Sequence, residues 1–513
     1  MNIDPITIGR ATELTGRSRV VYRLLEILPG TLSIGALLLL ATLSFIVPAW
    51  VAYFTIAFSA YWLFKSVFLS VHLRHNFKRL MHNMEVDWGA RLKPLKHSNI
   101  IHVVVFPFYQ EPYEVVAQSV RALARSRYDT TKIAIVLAAE ARAGARALAV
   151  AEQVIAEFKD SFLDAIVTVH PANLPGEVVG KGSNLTHASH EATLRIIDVR
   201  GIAHEHVIVS TFDVDTTVYP DYIACLTWNF LTAEKPLRSS YQPIPLYNNN
   251  IWSAPILSRV LAYSSTFWQM MQQERPERLS TFSSHAVPLP ALEAVNFGQP
   301  NVVSEDSRIF WTLFLKYDGD YTVVPLSYPV SMDANTTGKF WSTVRNLYKQ
   351  HRRWSYGAEN IPYLIYNFSK NPRIPLIKKL RVIFVHIEGF WSLAVQPLVL
   401  ALVGWMPLWV GGAAFNETVL SYNLPIVSSW FLGAAMFGLI VLGVYSMRLM
   451  PARPANRTWR MSVILALQWL LVPLTMVIFS AIPGIDAQIR LMTGNYLGFW
   501  VTPKTRDLKA TIE

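Results

Sequence analysis

Long apolar stretches at both ends of the chain enclose a middle region in which short apolar runs alternate with amphipathic ones. The first stretch, 30–73, is apolar apart from Lys65 and His72, and Pro48 lies near its centre. One bilayer crossing takes about 20 apolar residues, so the stretch predicts a hairpin of two transmembrane helices and is too long for a cleaved signal peptide. Positive charge flanks the hairpin on both sides, so we expect the arm 1–29 and the region after the hairpin to be cytoplasmic.

The middle region, 98–337, has the alternating pattern of an α/β domain. Its apolar runs predict strands at 101–107, 132–138, 165–169 and 207–212, and its amphipathic runs predict helices at 115–127, 146–158 and 184–197. Strands that alternate with helices imply a parallel sheet covered by crossover helices. Ligands of such sheets bind beyond the carboxyl ends of the strands, so we expect the functional site at that edge.

A basic, aromatic-rich stretch, 338–380, separates this domain from further apolar spans. Its interleaved Lys, Arg, Trp and Tyr residues are typical of helices that lie in the plane of the lipid headgroups. The following region, 381–484, has the composition of transmembrane helices, and a basic tail, 485–513, ends the chain. The predicted apolar spans are 382–413, 425–447 and 461–483.

The number of C-terminal crossings is left open by the sequence. The loop 448–460 carries four arginines and is expected in the cytoplasm, whereas the 413–424 loop has no Lys or Arg and is expected outside. Three crossings would then place the tail outside, against its positive charge. Either the 382–413 span, which contains His386 and Glu388, makes two short crossings, or one later span does not cross.

Composition supports a membrane protein. Charged residues make up only 16% of the chain, against about 25% in soluble domains, and there are 16 Trp. The net charge of +11 could suit nucleic acid, but no nucleic-acid-binding motif occurs. The basic residues cluster beside apolar stretches, so the bilayer and its anionic headgroups are the expected partner. Cys225 is the single cysteine, which excludes an internal disulfide and a zinc–thiolate site.

Two carboxylates, Asp213 and Asp215, follow the apolar run 206–212. Residues i and i+2 of a strand point to the same face, so both carboxylates could converge on one cation. Oxygen-only ligation suits Mg²⁺ or Mn²⁺, which commonly bridges protein carboxylates to substrate phosphates. The alternative is a strand that ends in a solvated polar turn, and the acidic pair alone favours that alternative.

Two further clusters offer groups that suit a nucleotide. In 106–112, Tyr109 could stack on a base and Glu111 could accept hydrogen bonds from it; the alternative is a strand–turn–helix with Glu111 near a helix N-terminus. In 180–185, Lys181 and Asn184 open a predicted helix, where free N–H groups and a lysine favour phosphate. The alternative for the second cluster is a solvated helix start.

Two more clusters suit an acceptor and its activation. Asp306 could act as a general base towards an acceptor hydroxyl, although Ser304 as N-cap with acidic residues in the first turn would give the same sequence. On a helix, Gln350, Arg353 and Trp354 share one face, which offers an amide, a planar cation for phosphate and an aromatic ring for a sugar or base. The alternative is a basic amphipathic interfacial helix.

Together these motifs resemble the membrane-embedded family-2 glycosyltransferases, the group that includes cellulose, chitin and hyaluronan synthases. Pro-x-Tyr-x-Glu, Lys-x-x-Asn-Leu, Asp-x-Asp, Glu-Asp and Gln-x-x-Arg-Trp occur in that order within 98–357. The tail segment 495–505 is similar to the Val-Thr-x-Lys ending of several such synthases. The resemblance implies an α/β glycosyltransferase-A-type, Rossmann-like cytoplasmic domain with a polytopic α-helical transmembrane region, a cytoplasmic tail and an even number of C-terminal crossings.

The resemblance also implies a role for each motif residue. Asp213 and Asp215 would hold Mg²⁺ or Mn²⁺ on the diphosphate of a nucleotide-sugar, expected to be UDP-linked, and Asp306 would be the catalytic base of an inverting transfer. The residues expected to contact the nucleotide are Tyr109, Glu111, Glu140, Lys181, Asn184 and Asp213, and those expected on the acceptor and diphosphate side are Glu305, Gln350, Arg353 and Trp354.

Two segments depart from the family pattern. After the second strand the family usually has paired aspartates that read the base, whereas this chain has Val-Leu-Ala-Ala-Glu-Ala, so Glu140 would substitute and uracil specificity is less well supported. The segment 283–290 lacks the usual Gly and Asn followed by basic residues, so the resemblance implies no acceptor.

The leading hypothesis is therefore an integral membrane glycosyltransferase of the inner or plasma membrane. It would extend a glycan from a cytoplasmic nucleotide-sugar and also pass the product across the bilayer. One alternative transfers a single sugar to a polyprenyl phosphate or another lipid, and another is a catalytically degenerate membrane scaffold. A transporter is disfavoured because about half of the chain is α/β in pattern. The sequence does not determine accessory subunits.

Overall fold

A mixed eight-stranded sheet forms the centre of the molecule, which we analysed as a computed structural model that describes residues 4–452 and 459–500. The strand order is β3-β2-β1-β4-β7-β6-β8-β5. The strands are β1 Ile101–Phe108, β2 Ile133–Glu140, β3 Asp164–His170, β4 Val207–Thr211, β5 Thr217–Val218, β6 Ser239–Leu246, β7 Ala286–Pro288 and β8 Thr322–Ser331.

Helices cover both faces of the sheet and extend from one side of it. Within the described residues they are α1 Gly16–Ile46, α2 Pro48–Glu85, α3 Trp88–Leu92, α4 Tyr113–Ala124, α5 Ala145–Phe158, α6 Lys181–Ala192, α7 Tyr222–Thr232, α8 Ile256–Gln273, α9 Leu289–Glu293, α10 Glu305–Lys316, α11 Phe340–Ser355, α12 Asn360–Lys370, α13 Leu376–Ala401, α14 Met406–Val410, α15 Gly412–Asn416, α16 Val419–Leu449, α17 Trp459–Leu467, α18 Val472–Met476 and α19 Ile482–Thr493.

The four predicted strands are present and pair as expected. β1 is parallel to β2 and to β4, and β2 is parallel to β3. Side chains of β1 alternate between two cores: Val104 and Phe106 pack with α4 and α7, whereas Val103 and Val105 pack with α6 and α10. Burial on both faces explains why these strands read as continuous apolar runs.

The expectation of a purely parallel sheet is wrong. β7 runs antiparallel to β4 and to β6, and β5 runs antiparallel to β8. β5 and β7 have two and three residues, which is too short to give a periodic signal in the sequence. The second half of the sheet therefore departs from the pattern that the first half predicted.

Among the described residues, five helical runs are long and apolar enough to cross a membrane. They are Gly16–Ile46, Pro48–Glu85, Leu376–Ala401, Val419–Leu449 and Val463–Thr493. The first two form the predicted hairpin with Val47 between them, but they extend beyond 30–73 at both ends. Large apolar side chains on these helices, such as Trp50 at 73% and Phe64 at 70%, are exposed, as lipid-facing residues would be.

The region 382–413 contains one helix that is long enough to span a bilayer. α13 ends at Ala401, and the five-residue helices α14 and α15 that follow are each only about 7.5 Å long. This segment lies beside the N-terminal end of α2. There the Thr55 hydroxyl donates to the carbonyl of Gly404 (3.2 Å), and Phe415 packs against Ala52. α13 is therefore the one helix of this region that is long enough to span a bilayer.

The run Val463–Thr493 contacts α8 and α11 as well as the candidate membrane helices. Leu465 belongs to the apolar cluster of β6 and α8, and Phe479 packs against α8 and α11. Near its end, Asp486 accepts a hydrogen bond from Arg352 of α11 (2.9 Å). The run also packs on the candidate membrane helices, where Ile485 contacts the apolar cluster of Phe58 and Ala394. Both ends of the run therefore lie beside α8 and α11, although its length and hydropathy also suit a membrane span.

The predicted loop 448–460 and tail 485–513 are described only in part. Residues 453–458 and 501–513 lie outside the described residues, and with them the whole Val-Thr-x-Lys ending. The described part of the tail packs on the N-terminal arm, where the Tyr496 hydroxyl donates to Glu26 (2.7 Å). The tail therefore starts beside the N-terminal part of α1.

Candidate functional site

A cavity of about 1700 Å³ begins at the carboxyl ends of β1 and β2 and continues between α2, α13 and α16. It collects nearly all of the residues that the sequence motifs single out. The predicted residues on its wall are Tyr109, Glu111, Glu140, Lys181, Asp213, Asp215, Glu305, Asp306, Gln350, Arg353 and Trp354.

Asn184 is the predicted residue that the structure places elsewhere. Its amide donates to the carbonyl of Ala138 in β2 (2.6 Å), and its side chain is buried at 1% exposure. This bond ties α6 to the sheet. The expectation that Asn184 contacts the nucleotide therefore gives way to a structural role, because the side chain points into the domain and not into the cavity.

Asp213 and Asp215 reach the cavity from a turn, not from a strand. β4 ends at Thr211, and the N–H of Thr216 donates to the carbonyl of Asp213 (2.8 Å) to close the turn. Between the two acids, Val214 is buried in the apolar core at 6% exposure. The strand argument for their common direction is wrong, but both acids still line the same cavity.

The acidic pair fits an ion that is shared with a substrate. Asp213 accepts a hydrogen bond from the Ser283 hydroxyl (2.8 Å), and Asp215 accepts one from the backbone N–H of Asp333 (2.9 Å). Residues 4–452 and 459–500 contain no group of three or more His, Cys, Asp or Glu that could hold a metal. A Mg²⁺ or Mn²⁺ ion commonly takes one or two carboxylate ligands from the protein, and phosphate oxygens of the substrate and water complete its coordination.

Lys181 holds the acidic residues of the site together. Its Nζ lies 2.7 Å from Asp213 Oδ1 and donates to both carboxylate oxygens of Asp306 at 2.9 Å, and Glu305 Oε1 is 3.7 Å away. Burial opposes the charge of this lysine, but Asp213, Asp306 and Glu305 outweigh it and raise the pKa of Lys181 well above its usual range. Lys181 thereby joins the turn after β4 to the start of α10.

The start of α10 is fixed by a residue that the sequence did not indicate. Ser304 precedes the helix, but its side chain does not cap it. The Ser304 hydroxyl donates to Glu359 Oε1 (2.6 Å), which also accepts the N–H of Ser304 (2.9 Å). Glu359 therefore positions the first turn, where Glu305 and Asp306 gain from the helix dipole.

Glu305 and His285 complete the environment of Asp306. Burial and the neighbouring Asp306 raise the pKa of Glu305 to about 7, although Lys181 opposes the shift. His285 Nδ1 lies 3.9 Å from Asp306 Oδ1 and hydrogen-bonds the carbonyl of Phe282 (2.8 Å), and burial lowers the pKa of His285. The site therefore contains a carboxyl group that titrates near neutral pH and a histidine that favours the neutral form.

The sheet end of the cavity carries an aromatic ring and an ion pair. Glu140 at the end of β2 pairs with Arg142 (Oε1 to Nη2, 3.1 Å), whose guanidinium lies 4.5 Å from the ring centroid of Tyr109. Glu111 accepts the backbone N–H groups of Tyr109 (2.8 Å) and Gln110 (3.1 Å) and so shapes this loop. Burial raises the pKa of Glu111. Arg142 was not predicted, although its position just past β2 was a usable signal.

α11 places Gln350, Arg353 and Trp354 on the cavity wall. Gln350 Oε1 accepts a hydrogen bond from Asn335 (3.0 Å), whereas Trp354 is 40% exposed. The Arg353 guanidinium lies 4.5 Å from the ring centroid of Phe499 in the tail. The predicted common face is present: the amide is used within the protein, and the cation and the indole face the cavity.

Comparisons with known proteins leave the family open. No protein-family model and no curated protein matches the sequence. Among solved structures, the mannosyltransferase PcManGT from Pyrobaculum calidifontis in complex with GDP-Man and Mn²⁺ is 12% identical, with coverage of 83% of this chain and 100% of that chain and a TM-score of 0.41. S. aureus TarS 1-349 in complex with UDP-GlcNAc is 10% identical, with coverage of 69% and 93% and a TM-score of 0.34. Similarity this low carries no functional conclusion, so function rests on the site itself.

Proposed function

We propose that the protein is a membrane-embedded glycosyltransferase of the family-2 type, which transfers a sugar from a nucleotide-sugar to a glycan acceptor with inversion. The proposal rests on one observation: residues that are far apart in the sequence line the same cavity. Asp213, Lys181 and Asp306 meet at its centre, with the Glu140–Arg142 pair at one end and Trp354 on the wall. A scaffold would not need these groups to converge.

In this proposal the donor lies along the edge of the sheet. Its base would bind near Tyr109, Glu140 and Arg142, and its diphosphate near Lys181 and Arg353. Asp213 and Asp215 would hold Mg²⁺ or Mn²⁺ through their carboxylate oxygens. When bound, such an ion would supply positive charge that offsets the charge developing on the leaving diphosphate.

Asp306 would act as the general base. It would accept the proton of the acceptor hydroxyl while the hydroxyl oxygen bonds to the anomeric carbon and the bond from that carbon to the diphosphate breaks. Attack opposite to the leaving group inverts the configuration at that carbon. Lys181 holds both oxygens of Asp306 at the cavity wall and, with Arg353, would stabilise negative charge on the leaving group.

The remaining part of the proposal concerns the membrane. The sheet domain would be cytoplasmic, where nucleotide-sugars are present, and α1, α2, α13 and α16 would cross the bilayer. The cavity continues from Asp306 to Phe431 and Met436 of α16, so a glycan that grows at Asp306 would have a route between the membrane helices. This continuity favours a polysaccharide synthase over transfer of one sugar to a lipid.

The test is turnover of purified protein in nanodiscs with Mg²⁺ or Mn²⁺ and a panel of nucleotide-sugars. Released nucleotide identifies the donor, and chromatography of the product gives its length. A ladder of products would support the polysaccharide synthase, and a single added sugar on a polyprenyl phosphate would replace it with the lipid-acceptor enzyme. Absence of release from every donor would contradict the proposal.

A further inference from the structure

Two arginines line the cavity between Asp306 and the membrane helices, and the proposed reaction gives them no role. Arg275 and Arg278 follow α8 in a turn in which the N–H of Arg278 donates to the carbonyl of Arg275 (2.8 Å). Three residues later, the Thr281 hydroxyl donates to the backbone carbonyl of Asp306 (2.5 Å). The arginine pair is thereby linked to the residue that faces the acceptor.

The charge of this pair is poorly compensated within the described residues. The Arg278 guanidinium has no hydrogen bond or ion pair there, and its Nε is buried. Arg275 lies 3.9 Å from Glu277 Oε1 and packs over the Phe68 ring at 5.6 Å. Burial, followed by the charge of Arg278, lowers the pKa of Arg275. Two adjacent cations are thus held at a cavity wall against their mutual repulsion.

The neighbouring carboxylates are already engaged by other cations. Glu274 pairs with Arg79 (3.5 Å), Glu277 with Arg381 (3.6 Å), and Glu388 with Lys65. The neighbourhood therefore holds five cations and three carboxylates, a formal charge of +2. The cations are Lys65, Arg79, Arg275, Arg278 and Arg381, and the carboxylates are Glu274, Glu277 and Glu388. Because Arg278 has no ion pair and its Nε is buried, this excess of positive charge favours an anionic ligand.

We propose that Arg275 and Arg278 bind carboxylates of the acceptor, and that the glycan extended in this cavity is anionic, such as a chain that contains hexuronic acid. The inference rests on the proposed function. Guanidinium groups bind carboxylates through paired, charge-assisted hydrogen bonds. The phosphate of a lipid would offer a similar charge, but Trp268 and Trp354 on the same wall present exposed indole rings that suit sugar faces. The wall therefore favours a glycan.

Binding of defined probes to the full chain in nanodiscs tests this inference. The probes are a hexuronate hexasaccharide, a neutral hexose hexasaccharide of the same length and farnesyl phosphate. We expect the hexuronate to bind at least about tenfold more tightly than the neutral probe, and Arg275→Gln with Arg278→Gln to abolish that preference. Arg278→Lys should retain part of it. Arg146→Gln, which removes an exposed arginine on α5 away from the cavity, should leave the preference intact.

Several outcomes would overturn the inference. Equal binding of the two hexasaccharides would do so, and so would a hexuronate preference that survives in the double variant. Binding of farnesyl phosphate that depends on both arginines, without hexuronate binding, would replace the glycan with a lipid phosphate. Nucleotide release measured on the same samples separates the two proposals: donor turnover without a hexuronate preference refutes only the anionic acceptor, whereas no turnover from any donor refutes the glycosyltransferase. Thermal unfolding of each variant checks that it is folded.

Discussion

Lys181 shows how far the residue scale can be understood from chemistry alone. The sequence predicts a lysine at a helix start that favours phosphate, and the structure places its Nζ between Asp213 and Asp306. A cation buried among carboxylates keeps their negative charges close together, and a diphosphate would compete for the same ammonium group. The residue that binds the leaving group in the proposal also organises the site before substrate arrives.

Glu305→Gln tests the electrostatics of this cluster through pH. The folded pKa of Glu305, about 7, lies above its ordinary 4.5, so the folded protein binds this proton more tightly than the unfolded chain does. The stabilisation is full below pH 4.5 and is lost as pH rises through 7. Relative to wild type, the variant should therefore gain up to about 3 kcal/mol in unfolding free energy between pH 5 and pH 8.5.

Thermal unfolding in detergent at the two pH values measures this effect. Glu152→Gln, which removes an exposed carboxylate on α5, serves as the control for loss of one negative charge. If Glu305→Gln and wild type keep the same stability difference at both pH values, Glu305 does not titrate in this range.

Glu140→Ala tests the base end of the cavity. Without this carboxylate the base loses a hydrogen-bond acceptor and Arg142 loses its partner, so the KM for the donor should rise about tenfold. The value of kcat should change little, because the reacting centre lies beside Asp306. Steady-state kinetics on the identified donor separates the two parameters. A fall in kcat with an unchanged KM would show that Glu140 does not bind the base of the donor.

The sequence predicted the motif residues of the site better than the residues that support them. Ser283 and Glu359 were missed, because each acts through a tertiary contact with no fixed spacing. Arg142 was missed although it lies only two residues after its partner Glu140. Asn184 was placed in the site although it serves the fold. A motif records that a residue type is present, but only packing decides which way its side chain points.

At the scale of elements, the bond from Asn184 to the carbonyl of Ala138 holds the first turn of α6 against β2. Asn184→Ala leaves the buried carbonyl of Ala138 without this donor, so the unfolding free energy should fall by about 1–3 kcal/mol. The donor KM of the folded variant should stay near that of wild type. Calorimetry and kinetics on one preparation check both. If the stability is unchanged and the donor KM is raised, Asn184 contacts the nucleotide, as the sequence predicted.

The predictability of the elements follows their length and burial. β1 to β4 and the helices between them were predicted within a few residues, because each strand is an apolar run bounded by polar turns. The other four strands were missed. β6 and β8 each contain two prolines, which argue against a strand, and β5 and β7 have only two or three residues and carry no period. The mixed character of the sheet could not be predicted for the same reason.

At the scale of the whole molecule, the sequence left the number of C-terminal membrane crossings open. The hydropathy of Val463–Thr493 is higher than that of the other four candidate spans, so composition alone predicts that it crosses the membrane. Its contacts with α8 and α11 place both of its ends beside the sheet domain. We therefore expect this run to enter and leave the bilayer on one side, which hydropathy alone would not predict.

Cysteine labelling tests this topology. The native Cys225 is buried, so exposed cysteines introduced singly should dominate labelling by an impermeant maleimide in sealed vesicles. We expect Thr493→Cys to react from the same side as Lys159→Cys in the sheet domain. Asn416→Cys, at the end of α15 and beside the N-terminal end of α2, should react from the opposite side. Labelling of Thr493→Cys together with Asn416→Cys would mean that the last run crosses.

The central claim is that Asp306 is the base of a sugar transfer, and Asp306→Asn on the identified donor tests it most directly. The asparagine keeps the shape of the side chain but cannot accept the proton of the acceptor hydroxyl. We expect donor binding within a few-fold of wild type and a transfer rate about 10²–10⁴-fold lower, with Asp160→Asn at an exposed position unchanged. Transfer at the wild-type rate by folded Asp306→Asn would contradict the account.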